Sequence, residues 1–299
     1  MIRYRCLGYT LALLAVGCAP ARREPAVAKP VAHAPEQEVK PVTPSPAPPP
    51  ASPIAAAEVT IPVATPPTHP ITAPRRIATQ LGGISLEGVA FDSRSHRLKV
   101  ADQSGGPSSQ WPDGQSAGQS LGGIAAINAG FFTPEGAPLG LVITSGTARG
   151  SWNGASSLGS ALWFEDSSGR NGIARREKIG NASARAMREL IQAGPLLVER
   201  RSPVGGLDPI KSSPRTVLLW DGGTRWMMAR SGACTLQQIS QALAGSSPAG
   251  WPIASALNLD GGRSAEIWIS DQVTGGGIFT RPIWNKPVRN FLVLKPANP

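Results

Sequence analysis

Ala256-Leu-Asn-Leu-Asp-Gly-Gly-Arg-Ser-Ala-Glu266 reads as a buried strand that delivers a carboxylate, Asp260, into a pair of glycines, after which a second strand leaves. Two glycines let the backbone turn sharply and approach a ligand closely, which makes Gly261 and Gly262 candidate contact positions and Asp260 a candidate catalytic carboxylate. A plain Asp-Gly hairpin turn is the structural alternative. On the departing strand, Ser264, Glu266 and Trp268 alternate with Ala265, Ile267 and Ile269. Glu266 is therefore either a second carboxylate of the site or one member of a solvent-facing row.

Outward from this stretch the same pattern recurs: short apolar and β-branched runs bounded by Gly, Ser and Asp. Strands are expected at 84–91, 97–101, 124–128, 140–143, 161–164, 194–198, 216–220, 225–229, 256–259, 266–270 and 291–294. The interruptions Asp92-Ser-Arg-Ser95 and Asp221-Gly-Gly-Thr224 read as hairpin turns. Helices are expected at 184–191, after Ser183 as cap, and at 236–244, where Thr235-Leu-Gln-Gln238 has the form of a capping box. The fold class is α+β: a single mixed, strand-rich domain with a few helices, preceded by a signal peptide and a disordered linker.

Three further segments place polar side chains at strand ends. Ala125-Ala-Ile-Asn-Ala-Gly-Phe-Phe132 delivers Asn128 to a glycine-containing turn, where it either caps its own turn or orients a sugar hydroxyl or a metal-bound water. Gln192-Ala-Gly-Pro-Leu-Leu-Val198 puts Gln192 at an expected helix-to-strand junction. Ser213-Pro-Arg-Thr216 sets Arg215 at the mouth of a strand, where a planar fork of donors suits phosphate and a surface ion pair is the bland use.

Taken in order, Asn128-Ala-Gly-Phe-Phe132, Gly194-Pro-Leu-Leu197, Arg215-Thr216 and Asp260-Gly-Gly-Arg-Ser264 resemble the elements of the phosphodiester glycosidase domain family. That family includes the mammalian uncovering enzyme for mannose 6-phosphate tags. The resemblance runs from about Ile84 to Leu294, with Ala129, Arg263 and Lys286-Pro287-Val288 as departures from the family pattern. It implies hydrolysis of a sugar 1-phosphodiester. Asp260 would then activate water or stabilise an oxocarbenium-like centre, with Glu266 as second candidate, and Arg215 would hold the phosphate, helped by Arg263 or Lys286. Asn128 and Ser264 would position sugar hydroxyls, with Gln192, Gly261 and Gly262 around them, and Trp152 or Trp284 would offer a stacking surface or serve the core. No cofactor is implied, although a divalent cation held by Asp260 and neighbouring oxygens stays open as an alternative. A non-catalytic envelope module that binds cell-wall or exopolysaccharide glycans is the rival reading.

The rest of the chain bears on where such a domain would work. Residues 1–17 have two early arginines, a short apolar run and small residues before Cys18, the layout of a bacterial lipoprotein signal. Cys18 is the expected lipidation site, and it implies a membrane-anchored lipoprotein of the bacterial cell envelope, periplasmic or facing the outer surface. Residues 18–75 are dominated by Pro, Ala and Val and read as a disordered tether. Residues 76–299 read as the folded domain. Of the three cysteines only Cys234 falls in it, so no disulfide framework is expected, and Cys234 reads as a small buried residue. A formal net charge of +10 comes from scattered arginines without an aromatic-interleaved stripe, which argues against nucleic acid and leaves attraction to anionic surfaces or phosphate-bearing glycans, or simple solubility, as its use. Three histidines, two of them in the tether, argue against a Ser-His-Asp triad and a histidine zinc site.

Overall fold

The computed structural model describes residues 69–297, so the leader, Cys18 and the tether as far as residue 68 lie outside the described residues. In chain order, the first half forms β1 (Arg75–Leu81), β2 (Ile84–Asp92), β3 (His96–Asp102), α1 (Gly114–Ser120), β4 (Ala125–Asn128), β5 (Val142–Thr144), β6 (Thr147–Arg149), β7 (Ala161–Glu165) and β8 (Asn171–Arg175). There follow α2 (Arg176–Arg185), β9 (Glu189–Ala193), β10 (Leu196–Glu199), β11 (Ser202–Pro203), β12 (Thr216–Trp220), β13 (Arg225–Ser231), α3 (Leu236–Ala244), β14 (Ser255–Asn258), β15 (Ile267–Ile269), β16 (Ile278–Thr280) and β17 (Asn290–Pro296).

The strands make three sheets. One has seven strands in the order β1-β2-β13-β12-β14-β10-β11; the others have five each, β16-β15-β4-β17-β3 and β6-β5-β9-β7-β8. Side-chain alternation explains how they pack. In β12, Leu218 and Trp220 enter a core shared with Ile127 and Leu292 of the second sheet and Trp163 and Ile191 of the third. The intervening Val217 and Leu219 face the other way and pack with Ile239 and Leu243 of α3. Each sheet repeats this plan, with α1 outside the second, against Trp268 and Phe291, and α2 outside the third, against Leu162 and Phe164. A fully buried leucine such as Leu218 is worth about 1.5–3 kcal/mol relative to an exposed one, so three sheets around one core form a strongly determined frame.

This strand-rich α+β domain agrees with the sequence reading, and α3 matches the expected helix at both ends, opening with the reciprocal Thr235–Gln238 capping box and closing at Gly245. Three local expectations are corrected. The helix expected at 184–191 is instead the end of α2 followed by β9, all five residues of which are buried in mid-sheet. Both faces of Glu189-Leu-Ile-Gln-Ala193 are buried, polar Glu189 and Gln192 included, so the apolar/polar alternation that marks a half-buried strand is missing. Asp92-Ser-Arg-Ser95 does turn the chain, but β2 and β3 join different sheets, so it is a corner and not a hairpin. The Asp221–Thr224 hairpin is as expected, with Trp220 paired to Trp226 across it.

The third correction concerns the stretch at 256–266. β14 and β15 belong to different sheets, and a 3-10 turn at Gly262–Ser264 carries the chain between them, so Asp260-Gly-Gly is no hairpin. Ser264, Glu266 and Trp268 are all buried and form no solvent face. The cause is α1, whose Gly114 and Gly118 let it lie directly on Glu266 and Trp268. A Cβ on Gly118 would fall 2.3 Å from the Trp268 ring, well inside contact distance. Glycine makes Gly114–Ser120 a poor helix former, which hides α1 from a propensity reading.

Candidate active site

Where β14, β12 and β10 end on the α3 side of the large sheet, the chain leaves a cleft of about 960 Å³. Two-residue alternation assembles its floor. Asn258 and Asp260 follow Ala256, Arg215 precedes Val217, and Pro195 precedes Leu197, all on the face that carries α3. Phe131 gives an apolar wall, and the 204–213 loop together with Leu236 at the start of α3 forms another.

Asp260 sits at the seam between the two sheets and its peptide is gripped on both sides. Its N–H donates to the Ala129 carbonyl at 2.9 Å, and its own carbonyl accepts from Asn128 Nδ2 at 2.7 Å. The side chain is half-buried. Burial raises its carboxyl to about 6, against hydrogen bonds from the Ser264 side chain and the Gly261 amide that pull it down. The amide contact is 2.9 Å, to Oδ1. Gly262 adopts φ of 62°, in the left-handed region, and a Cβ on Gly261 would lie 2.8 Å from the Pro214 carbonyl, so both glycines are required by the turn itself.

Arg215 is 8% exposed and lines the same cleft. Nε donates to the Cys234 carbonyl at 3.2 Å and one terminal nitrogen, Nη2, to the Lys211 carbonyl at 2.6 Å. Nη1 has no protein partner among the described residues. Burial lowers its pKa, opposed mainly by Cys234 and Asp208, and no carboxylate pairs with it among the described residues. Lys211 and Arg263 also line the cleft, outside any ion pair among the described residues, whereas Arg175 is held by Glu199 at 2.7 Å. The carboxylates facing these cations are Asp260 and Asp208, and Asp208 caps its own loop by accepting from the amides of Ile210 and Lys211. The cleft therefore carries an excess of positive charge suited to an anionic ligand.

The remaining candidates sit elsewhere. Asn128 is fully buried: Oδ1 accepts from Thr216 Oγ1 at 2.7 Å and from the Glu266 amide at 3.0 Å, while Nδ2 holds the Asp260 carbonyl. It fastens the floor from behind, and its complete burial leaves nothing facing a sugar. Gln192 is likewise occupied, in β9, accepting from the amides of Leu141 and Asn153 and donating to the carbonyls of Asn153 and Gly159. It thereby anchors the 153–159 loop, whose Ser157 and Leu158 reach the cleft edge. Glu266 does not line the cleft. It is 1% exposed under α1, accepting from the Gly114 amide at 2.6 Å, with Arg281 Nε 2.7 Å from its other oxygen at an angle too poor for a hydrogen bond. Burial raises its carboxyl to about 7, against the Gly114 amide and Arg281. Lys286 is exposed and touches the site only through its amide, which donates to the Arg263 carbonyl. Trp152 packs against the third sheet, and Trp284 is exposed on a loop where its carbonyl accepts from Arg263 Nε. Among the described residues no group of three or more His, Cys, Asp or Glu side chains gathers to hold a metal ion.

Several cleft residues escaped the sequence reading, Lys211, Asn258 and Phe131 among them. Asn258 precedes Asp260 by two positions, and strand alternation alone would have put both on one face. Phe131 lay inside a quoted motif, but only the seam between the sheets shows that it borders the floor.

None of the curated proteins compared with the chain matches it. Among solved structures, the catalytic domain of zebrafish N-acetylglucosamine-1-phosphodiester alpha-N-acetylglucosaminidase, auto-inhibited by its pro-peptide, is similar, with a TM-score of 0.52 and 16% identity. The match covers 76% of this chain and 84% of that one, and at this identity the likeness is one of fold. A hypothetical protein from Synechocystis gives a TM-score of 0.48 at 16% identity, over 73% of this chain and 61% of that one. The model of the phosphodiester glycosidase family matches residues 122–295, which hold β4 and Asn128, Arg215, the whole 256–266 stretch and most of the last strand. That match spans more than half of the chain, and the protein belongs to the phosphodiester glycosidase family.

Proposed function

We propose that the domain hydrolyses a sugar 1-phosphodiester bond in a phosphoglycan or related glycoconjugate, and that acylation of Cys18 tethers it in the cell envelope. The observation that carries the hydrolase reading is the convergence of a half-buried carboxylate near pKa 6, Asp260, and an unneutralised arginine, Arg215, in one cationic cleft. The support for export is the leader and cysteine pattern at residues 1–18.

The chemistry asks little of a general acid. A phosphate ester leaves as a stable anion, so the cleft's main task is to hold negative charge that grows on the departing oxygen. Arg215, fixed by two carbonyls and desolvated, is preorganised for that task, with Lys211 and Arg263 adding charge at the rim. Asp260, ionised above about pH 6, takes the proton of the attacking water. The water oxygen bonds to the anomeric carbon, the bond from that carbon to the phosphate oxygen breaks with its electron pair going to phosphate, and the free sugar departs. Asn128 and Gly261 act only by keeping the Asp260 peptide and carboxylate in place.

The test is to assay the purified full-length protein, with Asp260→Ala beside it, against defined sugar 1-phosphodiesters. Release of free sugar by the wild type and not by the variant is expected. Binding without turnover in the wild type would move the reading to a glycan-binding module, and neither binding nor turnover by a folded wild type would end it.

A further inference from the structure

One buried acceptor of the cleft is left over. Asn258 is 3% exposed and lines the cleft, and its Nδ2 donates to the Gly194 carbonyl at 3.0 Å. Because a carbonyl only accepts, that bond fixes which end of the amide is which. Oδ1 is then the other end, and it is buried without a hydrogen-bond partner. A buried acceptor with no donor is costly, and of the six such side-chain atoms among the described residues Asn258 Oδ1 is the one whose residue lines the cleft. The backbone around it is not adjustable, since the Asn258 amide donates to Pro195 and the next amide, of Leu259, to Thr216.

We propose that Oδ1 of Asn258 is a substrate-binding acceptor that takes a hydroxyl or amide hydrogen from the sugar, and so fixes which way the substrate lies in the cleft. The inference rests on the hydrolase reading above and adds an orientation to it. A phosphodiester at neutral pH has no proton to donate, so the phosphate cannot satisfy this oxygen. The phosphate belongs with Arg215, Lys211 and Arg263, which only donate, and the sugar ring belongs over β14 beside Asp260. The substrate class is therefore a sugar with a free donor group on the face turned to β14, and a sugar deoxygenated or O-alkylated there is excluded.

The experiment uses the full-length protein and an anionic sugar C-phosphonate monoester, whose C–C bond in place of the anomeric C–O bond cannot be cleaved, with its series of monodeoxy analogues, titrated by calorimetry. The matching cleavable diesters are assayed in parallel. One monodeoxy analogue should bind the wild type roughly 10- to 100-fold more weakly than the parent, and Asn258→Ala should bind parent and analogue alike. Equal wild-type affinity across the series overturns the inference without any variant, and so does an Asn258→Ala loss shared by every analogue, the mark of a merely structural role. Cleavage without discrimination leaves the hydrolase reading standing and this inference fallen; discrimination without cleavage does the reverse.

Discussion

Asp260 and Glu266 are six residues apart, both are hydrogen-bonded through their backbones to Asn128, and burial raises both carboxyls, to about 6 and about 7. Their surroundings differ in kind. Asp260 opens on a cleft with unpaired cations, while Glu266 is sealed beneath α1 with a helix amide and Arg281 as neighbours. A raised carboxyl therefore marks burial first; it marks chemistry only where there is space for a ligand and charge to meet it.

Substitutions can break this contrast. The largest effect is expected for Asp260→Asn, with kcat/KM on a sugar 1-phosphodiester falling about 10²- to 10⁴-fold. The wild-type kcat/KM should rise with pH through about 6 as Asp260 ionises. The same variant should melt higher at neutral pH. The folded pKa lies above the ordinary 3.8, so the native state holds an extra proton between the two values and loses stability as pH rises through that window. Removing the charge should recover about 1–2 kcal/mol, reduced from the full shift because the group is part-exposed. Next is Arg215→Ala, expected to lose about 10²- to 10³-fold in turnover, with Arg215→Lys recovering only part because a single ammonium replaces the fork.

On the sealed side the expected losses are of stability alone. Gly118→Ala would drive a Cβ into Trp268 and should cost about 1–3 kcal/mol in denaturant melts, with kcat/KM of the folded fraction unchanged. Glu266→Gln should be smallest in activity, within about threefold of wild type, a bound set by its place outside the cleft. Its signature is in melting against pH: wild-type stability should fall as pH rises from 4.5 to about 7, and the variant should lose the share of that slope due to Glu266, most clearly between about 6 and 7, above the Asp260 window. If Glu266→Gln instead abolished turnover, the contrast drawn here would be wrong.

The fold class, eleven of the seventeen strands and α3 were legible because alternation and capping are local, whereas β1, β6, β8, β11 and β16 were not expected. β9 was not, since burial on both faces erases the period that tells strand from helix. Nor was α1, whose glycines serve Trp268 and Glu266, distant in sequence, at the expense of local helix preference. The site was legible in part: Asp260, Arg215 and the glycine pair announce themselves at strand ends. Asn128 and Gln192 sit at equally suggestive places, yet a polar side chain that binds ligand and one that binds backbone have the same letter. Only the partners tell them apart.

The last strand has a consequence for the order in which this protein acquires its cleft. β17 is not added at an edge but lies between β3 and β4, and it pairs Phe291 with Asn128. Asn128 in turn reaches Thr216, Asp260 and Glu266 across separations of 88, 132 and 138 residues. Contacts of that range are slow to close, and these cannot be held in place until the strand at 290–296 has been synthesised. The cleft floor should thus be among the last parts to mature, leaving a nascent or truncated chain without a catalytic floor until its final strand is threaded home.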